Sequence, residues 1–387
     1  MAPRTKAVAF ICNSCKSSFV RGYSSTAPLG RTFPSFKPTS QPELDTLLSQ
    51  YRETLFIPEN LSKNHQHLIY RPSKHHILTN DPGVTVSITD EEDVKLRPMS
   101  YAERPEKRKS LARLTSLLGE TPDPDSWSNL LPFLEGMKSS HEPVPAKFLE
   151  KLTRKANKLG MQRFIIELAE QAKRTDVRLS EPFLLRELLL GCHRRALESS
   201  YQGEGFEKAA RQAQLIVYML QKGDHCNKTN YAQGHLDMRR SLFPSAIMLD
   251  MTAARAFYSS SKPTDTDGEV SRAVAKVLAL SKSSESGLTS LSMPEFSRQK
   301  SRTDNQHTNL GEAQERLENL LPVWSGLKFA SKIPGAVIMM SRDDFHRLLK
   351  HAGSEVRAAE AEVKALAGDN MDRRSLVLLE QLRQIHS

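Results

Sequence analysis

Cysteine is scarce, with four in 387 residues. Cys12 and Cys15 form a CxxC, but Cys192 and Cys226 stand far apart. A structural zinc site needs four ligands, commonly two such pairs or one pair with histidines, so the count speaks against one. Nor do two distant cysteines make a disulfide framework. Glycine is also sparse, at 18. No GxxxxGK[ST], GxGxxG, HExxH or GxSxG occurs, which removes the common phosphate loops, zinc-protease helices and hydrolase elbows. No run approaches 18 apolar residues, so no membrane-spanning helix is expected. The longest late apolar run, Ala336–Met340, is a strand or a buried turn at most. Hydrophobic residues make up 38% and aromatics 6%. That is lean for one compact globule and suits helices with long polar connections.

Acid is missing from the start of the chain. The first carboxylate is Glu43, yet Arg4, Lys6, Lys16, Arg21, Arg31 and Lys37 precede it among many Ser and Thr. Residues 3–20 coiled as a helix would present Ala7, Val8, Phe10, Ile11 and Phe19 on an apolar face. A basic, Ser-rich, acid-free amphipathic start describes a mitochondrial transit peptide. The stretch Arg21-Gly22-Tyr23-Ser24 resembles a matrix-processing site, with cleavage expected between Tyr23 and Ser24. Cys12 and Cys15 would leave with it. The formal charge is +10; losing four basic residues and no acid with residues 1–23 leaves +6. A basic chain favours anionic partners, RNA first and an anionic membrane surface second.

The chain divides by composition. Residues 24–64 are expected to form an extended arm, interrupted by Pro28, Pro34, Pro38 and Pro42, with only Leu47–Phe56 able to form a short helix. Residues 65–106 form a small basic segment. In it Ile77–Leu78 and Val84–Ile88 are expected to pair as a β-hairpin across Asn80-Asp81-Pro82-Gly83. From residue 107 the period becomes helical. Leu111, Leu114 and Leu118 share a stripe on Lys107–Leu118. Pro124 opens a further helix, which Pro132 should kink or shorten. Phe148, Leu149, Leu152 and Ala156 face one way before Gly160. Further helices are expected over Met161–Lys173, after Ser180 as cap, over Phe206–Gln221, Pro244–Tyr258 and Glu269–Leu280. Residues 107–282 thus read as a domain of stacked helical hairpins. Residues 283–310 read as a polar, disordered linker. Residues 311–387 read as a terminal hairpin whose last helix, with Leu376, Leu379 and Leu382, needs a partner. The fold class is mainly α, a degenerate solenoid of antiparallel hairpins with one small β-hairpin.

The stretch FLEKLTRKANKLGMQRFIIELAEQAKRTDVRLS resembles a pentatricopeptide-type repeat. Leu149, Leu152, Lys158, Gly160 and Leu168 fall where that family places its apolar residues, basic residue, turn glycine and leucine. The match covers one clear unit and one or two degraded ones. It departs at Ile165, where the family has a small alanine, and at Ala172, where it has a methionine. The polar pair that reads a base in such repeats has no counterpart in successive units. A generic helical array stays open beside this resemblance.

The feature most like a binding surface is basic. Lys151, Arg154, Lys155 and Lys158 lie on one broad helix face beside the apolar stripe. Arg163, Lys173, Arg174 and Arg178 continue it, and Arg186, Arg194 and Arg195 follow. Lys107, Arg108 and Lys109 make an earlier cluster. Rows of this kind neutralise phosphates without reading sequence. The competing view is a solvated face balanced by Glu150, Glu167, Glu170 and Glu187. His65, His67, His75 and His76 match no metal-ligand spacing. Asp90-Glu91-Glu92-Asp93 is a mutually repelling run, more like a solvated turn than an acid/base pair. His193 is expected to be semi-exposed, and Trp127 and Trp324 to be core residues.

Presequence, arm, hairpins, long polar insertions and no recognisable active site together resemble lineage-specific mitoribosomal proteins, fungal in style. That resemblance implies a non-catalytic matrix protein with no cofactor, partnered by ribosomal RNA and mitoribosomal proteins. It also leaves room for peripheral proximity to the inner membrane and for a protein partner on the terminal hairpin. A mitochondrial mRNA-binding factor and an assembly scaffold for a respiratory complex are the alternatives.

Overall fold

The computed structural model describes residues 33–88, 92–225, 237–259, 263–265, 267–281, 291, 293, 296, 306–337, 342–368 and 373–387. The expected cleavage site at Tyr23–Ser24, the Cys12–Cys15 pair, Cys226 and most of the 283–310 linker lie outside them, and residues 306–310 of that linker instead begin a helix, Gln306–Ser331. The chain forms two compact units, Met1–Val177 and Arg178–Ser387. That division falls within the 107–282 span.

The first unit begins with a segment expected to be extended. Instead, the chain is helical from Pro42 to Asn60: α1 (Pro42–Tyr51), a π-helical turn (Arg52–Phe56) and a last turn (Ile57–Asn60). Pro42 sits in the first turn, where a missing N–H is harmless. Pro58 cannot donate to the fourth carbonyl back, and the wider π turn precedes it. Leu44, Leu48 and Tyr51 share a stripe and are buried. The edge of Tyr51 meets Phe133 at 5.0 Å between centroids. α2 (Lys63–Tyr70) follows, capped by the Ser62 side chain.

The β-hairpin differs from expectation in its partner strand. Ile77 and Leu78 belong to a short helix, His75–Thr79. β1 (Thr85–Ser87) pairs antiparallel with β2 (Asp93–Lys95), with Val86 opposite Val94. The alternation of Val84 and Val86 continues in Val94 and Leu96. Val84 and Leu96 enter a small cluster with Ile57, Leu61, Ile69, Leu78 and Met99.

α3 (Lys107–Leu118) buries Leu111, Leu114 and Leu118, as its spacing requires. The Pro124 helix stops at Ser128, and α4 (Leu130–Ser139) starts two residues later. Pro132 therefore lies in a first turn rather than at a kink. α5 (Ala146–Leu159) and α6 (Gln162–Glu170) form a tight hairpin. Gly160 turns it at φ 72°, and the Met161 N–H donates to the Ala156 carbonyl at 2.8 Å. A side chain disfavours that left-handed backbone, and glycine does not.

In the second unit consecutive helices again pair: α7 (Pro182–Glu198) with α8 (Gly203–Leu220), and α9 (Leu242–Tyr258) with α10 (Glu269–Ser281). The cap before α7 is Glu181, without a side-chain bond, rather than Ser180. α11 (Gln306–Ser331) packs along both α9 and α12 (Arg342–Ala367). α13 (Arg374–His386) lays Leu376, Leu379 and Leu382 against α11 and α7. The partner its leucines need is thus inside the chain.

Candidate nucleic-acid interface

α5 carries the densest row of cations. Phe148, Leu149, Leu152, Thr153 and Ala156 are buried on one side. Lys147, Lys151, Lys155 and Lys158 are exposed on the other, with Arg154 half-buried between them. At 100° per residue these five span about a quarter of the helix circumference. Lys147 completes the row one turn before Lys151; its i, i+4 spacing was the available signal, and it was not singled out in the sequence. The Lys155 stem lies over Gly119 at the end of α3, so close that a Cβ there would stand 2.8 Å from Lys155 Cδ. That contact holds the ammonium outward while its methylenes cover backbone.

The acids expected to balance this row do so only once. Glu150 is buried and accepts from Arg154 at 2.8 Å. Glu167 and Glu170 stand exposed on α6, and Glu187 belongs to the second unit. Among the described residues, no ion pair is seen for Lys147, Lys151, Lys155 or Lys158. Arg163 is exposed and lies over the Phe164 ring at 4.6 Å.

The other candidates are more committed. Lys107 pairs with Glu142 at 2.9 Å and Lys109 with Glu106 at 2.6 Å. The Glu106 carboxylate raises the Lys109 pKa. Arg108 is exposed on the same turn. Arg174 pairs with Glu135 at 2.7 Å, and the Lys173 carbonyl accepts from Lys138. Arg178 is half-buried in the second unit.

Two expectations about α7 fail for one reason. Arg186 and Arg194 do not extend a wet basic face, and His193 is not semi-exposed. α7 is apolar on nearly every side, with Leu184, Leu185, Leu188, Leu189 and Leu190 buried, so Arg186, Glu187 and His193 are buried with them. Arg186 donates from Nε to Asn319 Oδ1 at 2.6 Å and from Nη1 to Glu187 Oε1 at 2.9 Å. Arg194 Nη2 reaches Glu318 Oε2 at 3.1 Å, and Arg374 grips both oxygens of that carboxylate at 2.7 and 2.9 Å. Burial pushes the Glu318 carboxyl up, but Arg194, Arg374 and Arg186 outweigh it and hold it below its ordinary value.

A second buried network joins α7, α9, α11 and α13. The Tyr201 hydroxyl donates to Asp250 Oδ2 at 2.8 Å and stands 3.2 Å from His193 Nε2. Ser325 Oγ lies 3.5 Å from the same hydroxyl and 3.1 Å from His386 Nε2. Burial drives the Asp250 carboxyl up to about 7 and keeps His193 and His386 neutral, at about 3 and about 4. Ser, His and Asp resemble a catalytic set by composition. Here, however, His193 Nε2 stands 3.5 Å from Asp250 Oδ2, the Tyr201 hydroxyl donates to that same oxygen, and His193, Tyr201, Asp250 and Ser325 are closed off from solvent. The group is built to fasten helices. Of the histidines at 65–76, His65 is buried and His75 meets the Ile69 carbonyl at 2.9 Å. Among the described residues no group of three or more His, Cys, Asp or Glu side chains converges as a metal site, and no helix is long and apolar enough to cross a membrane.

This geometry defines a class: a helical protein with a lysine-lined face in one unit and buried ionic and polar fasteners in the other. Comparison with known proteins narrows it. The family model for mitochondrial ribosomal protein mS27 matches residues 21–381. The small ribosomal subunit protein mS27 of Neurospora crassa is 30% identical over 221 residues, which are 55% of this chain and 54% of the relative. The match therefore spans about half the length of that relative. The chain belongs to the mitochondrial ribosomal protein mS27 family. That membership makes it a mitochondrial protein of ribosomal type and accords with the fungal mitoribosomal resemblance seen in the sequence.

Proposed function

We propose that this protein is a non-catalytic component of the small subunit of the mitochondrial ribosome, working in the matrix after loss of residues 1–23. Its α5 face lies on ribosomal RNA. The observation that carries this reading is the row Lys147, Lys151, Lys155 and Lys158, exposed and without a described acid partner, above a fully buried apolar seam. Such a row attracts phosphates and releases their counterions. Arg154, Arg163 and Arg108 add to it, while Lys107, Lys109 and Arg174 are each paired with an acid, and Lys173 and Arg178 extend the candidate set. The α5–Gly160–α6 hairpin acts as one repeat of pentatricopeptide type, used as a docking surface rather than to read bases in series. Mitoribosomal proteins are its protein neighbours. On α13, Val377 remains exposed for one of them. Any proximity to the inner membrane is peripheral and relies on the same cations.

The test is sedimentation of a mitochondrial lysate containing tagged wild-type or K147E/K151E/K155E/K158E protein, in magnesium and again in EDTA. Wild type should travel with the small subunit in both, and the variant should fall away at a lower salt concentration. Migration near the monomer, or RNase-insensitive migration with a respiratory complex, would defeat the reading and favour an mRNA factor or an assembly scaffold.

A further inference from the structure

Away from α5, the first unit displays a tyrosine that its core does not need. Tyr101 is 63% exposed, with Tyr218 the highest value among the large hydrophobic side chains of the described residues. It is nevertheless fixed. Its ring stacks on Tyr70 with centroids 4.1 Å apart and planes within 10°. Its backbone lies in a single 3-10 turn, Tyr101–Glu103, closed by a capping box between Ser100 and Glu103. Arg104 stands 4.8 Å from the Tyr101 centroid and 5.4 Å from that of Tyr70. A group covering the outer face of Tyr101 would be far more distant from Tyr70 than from Tyr101. Arg104 therefore flanks the pair and leaves that outer face uncovered. It is held there by Glu59 and by the Tyr70 hydroxyl, to which it donates at 3.1 Å.

We propose that the outer face of Tyr101 is a stacking platform for one unpaired RNA base, so that base, Tyr101 and Tyr70 form three layers with Arg104 at their edge. This rests on the RNA reading above for the choice of polymer, and it adds a site on a different element. A side chain immobilised before binding loses little entropy on contact, which is what a platform requires. Aromatic stacking accepts any base and needs no hydrogen-bond code. Two acids beside the turn are already paired: Glu59 with Arg104, and Glu103 with Arg97 at 2.8 Å. A guanidinium from a protein neighbour is the competing guest for an open ring face. Arg104 beside the ring disfavours a second cation there, and a neutral base meets no such penalty.

The test uses the full chain and a single-stranded RNA oligonucleotide carrying 2-aminopurine, whose fluorescence is quenched on stacking. Tyr101→Ala should weaken binding about tenfold and abolish quenching. It should leave the slope of affinity against salt unchanged, because no phosphate contact is lost. Tyr101→Trp should restore both affinity and quenching. Equal affinity and quenching in wild type and Tyr101→Ala would overturn the platform. So would an alanine variant that binds RNA normally yet no longer sediments with the subunit, since the guest would then be protein. The K147E/K151E/K155E/K158E protein separates this proposal from the α5 reading. An unchanged salt slope in that variant would sink the α5 face while leaving the Tyr101 result to stand or fall alone.

Discussion

The Asn129 side-chain amide holds the backbone of Lys37, 92 residues away, at both ends. Lys37 N–H donates to Asn129 Oδ1, and Asn129 Nδ2 donates to the Lys37 carbonyl, each at 2.9 Å. One side chain thus stands in for a neighbouring strand and ties residues 33–41 to the gap before α4. Asn129 is buried, so removing it leaves two backbone groups without their partner. Asn129→Ala is expected to destabilise the first unit by about 2 kcal/mol. It should also expose the 33–41 segment to limited proteolysis well before α5. A wild-type digestion pattern would show that the proline-rich segment is held by other contacts.

The approach of α11 to α9 depends on one absent side chain. A Cβ at Gly326 would stand 2.8 Å from the Asp250 backbone nitrogen and 3.0 Å from its Cα. Backbone cannot rotate away as a side-chain tip can. Gly326→Ala is therefore expected to push the helices apart and lower stability by about 1–3 kcal/mol, despite the better helix propensity of alanine. Thermal unfolding measures it. Gly311, also in α11 but with open space around its Cβ position, is the control, and its alanine variant should be neutral or slightly stabilised.

The Glu318 cluster should show acid sensitivity of a defined sign. Its carboxyl has a folded pKa below the ordinary value because Arg194, Arg374 and Arg186 outweigh its burial. The stability it adds is present above the ordinary glutamate pKa, near 4.3, and is lost as pH falls through the depressed folded value. Glu318→Gln keeps the shape but leaves three guanidinium groups facing a neutral amide. The expected loss is about 3–5 kcal/mol at neutral pH, with a shallower acid transition than wild type. A series of urea titrations from pH 7 down to about pH 2 distinguishes this from a simple packing defect, which would be equal throughout.

Much of the fold was legible because local signals and tertiary packing agree. Leu111, Leu114 and Leu118 marked the buried face of α3, and Gly160 marked the α5–α6 turn. The failures share a different origin. Prolines made residues 24–64 look extended, yet Pro42 occupies the one helical position it favours, and burial of Leu44 and Tyr51 outweighs the rest. Arg186 and His193 looked outward because charge and polarity usually do. Their partners Asn319 and Asp250 come from α11 and α9, 133 residues from Arg186 and 57 from His193, and nothing local announces them. The lysine row of α5 was visible as a period, whereas Tyr101 was not, since its value lies in the ring beneath it. Tyr70 comes from another element, and an isolated tyrosine in a loop carries no such information.

The Asp250 network gives a pH dependence of opposite sign to that of Glu318. Asp250 is closed off from solvent, and burial raises its carboxyl to about 7 from an ordinary value of 3.8. A raised folded pKa means stability that is full below the unfolded value and is lost as pH rises through the folded one. Between about pH 4 and pH 7 the unfolded chain gives up this proton while the folded chain keeps it. Other groups facing the site work the other way: burial holds His193 and His386 down, at about 3 and about 4, so they weaken the fold as pH falls below 6.5. Tyr201, raised by burial, stays neutral throughout, and Ser325 does not titrate in this range. Whole-protein stability therefore mixes the two trends, and the informative quantity is the difference between Asp250→Asn and wild type. Asparagine keeps an oxygen to accept from Tyr201 and never ionises. Relative to wild type, the variant should become steadily more stable from pH 4 to pH 7 and then level off, for a total change on the order of 4 kcal/mol. A difference that stays flat across this range in urea unfolding would mean that Asp250 is ionised in the folded protein and paired with a protonated His193.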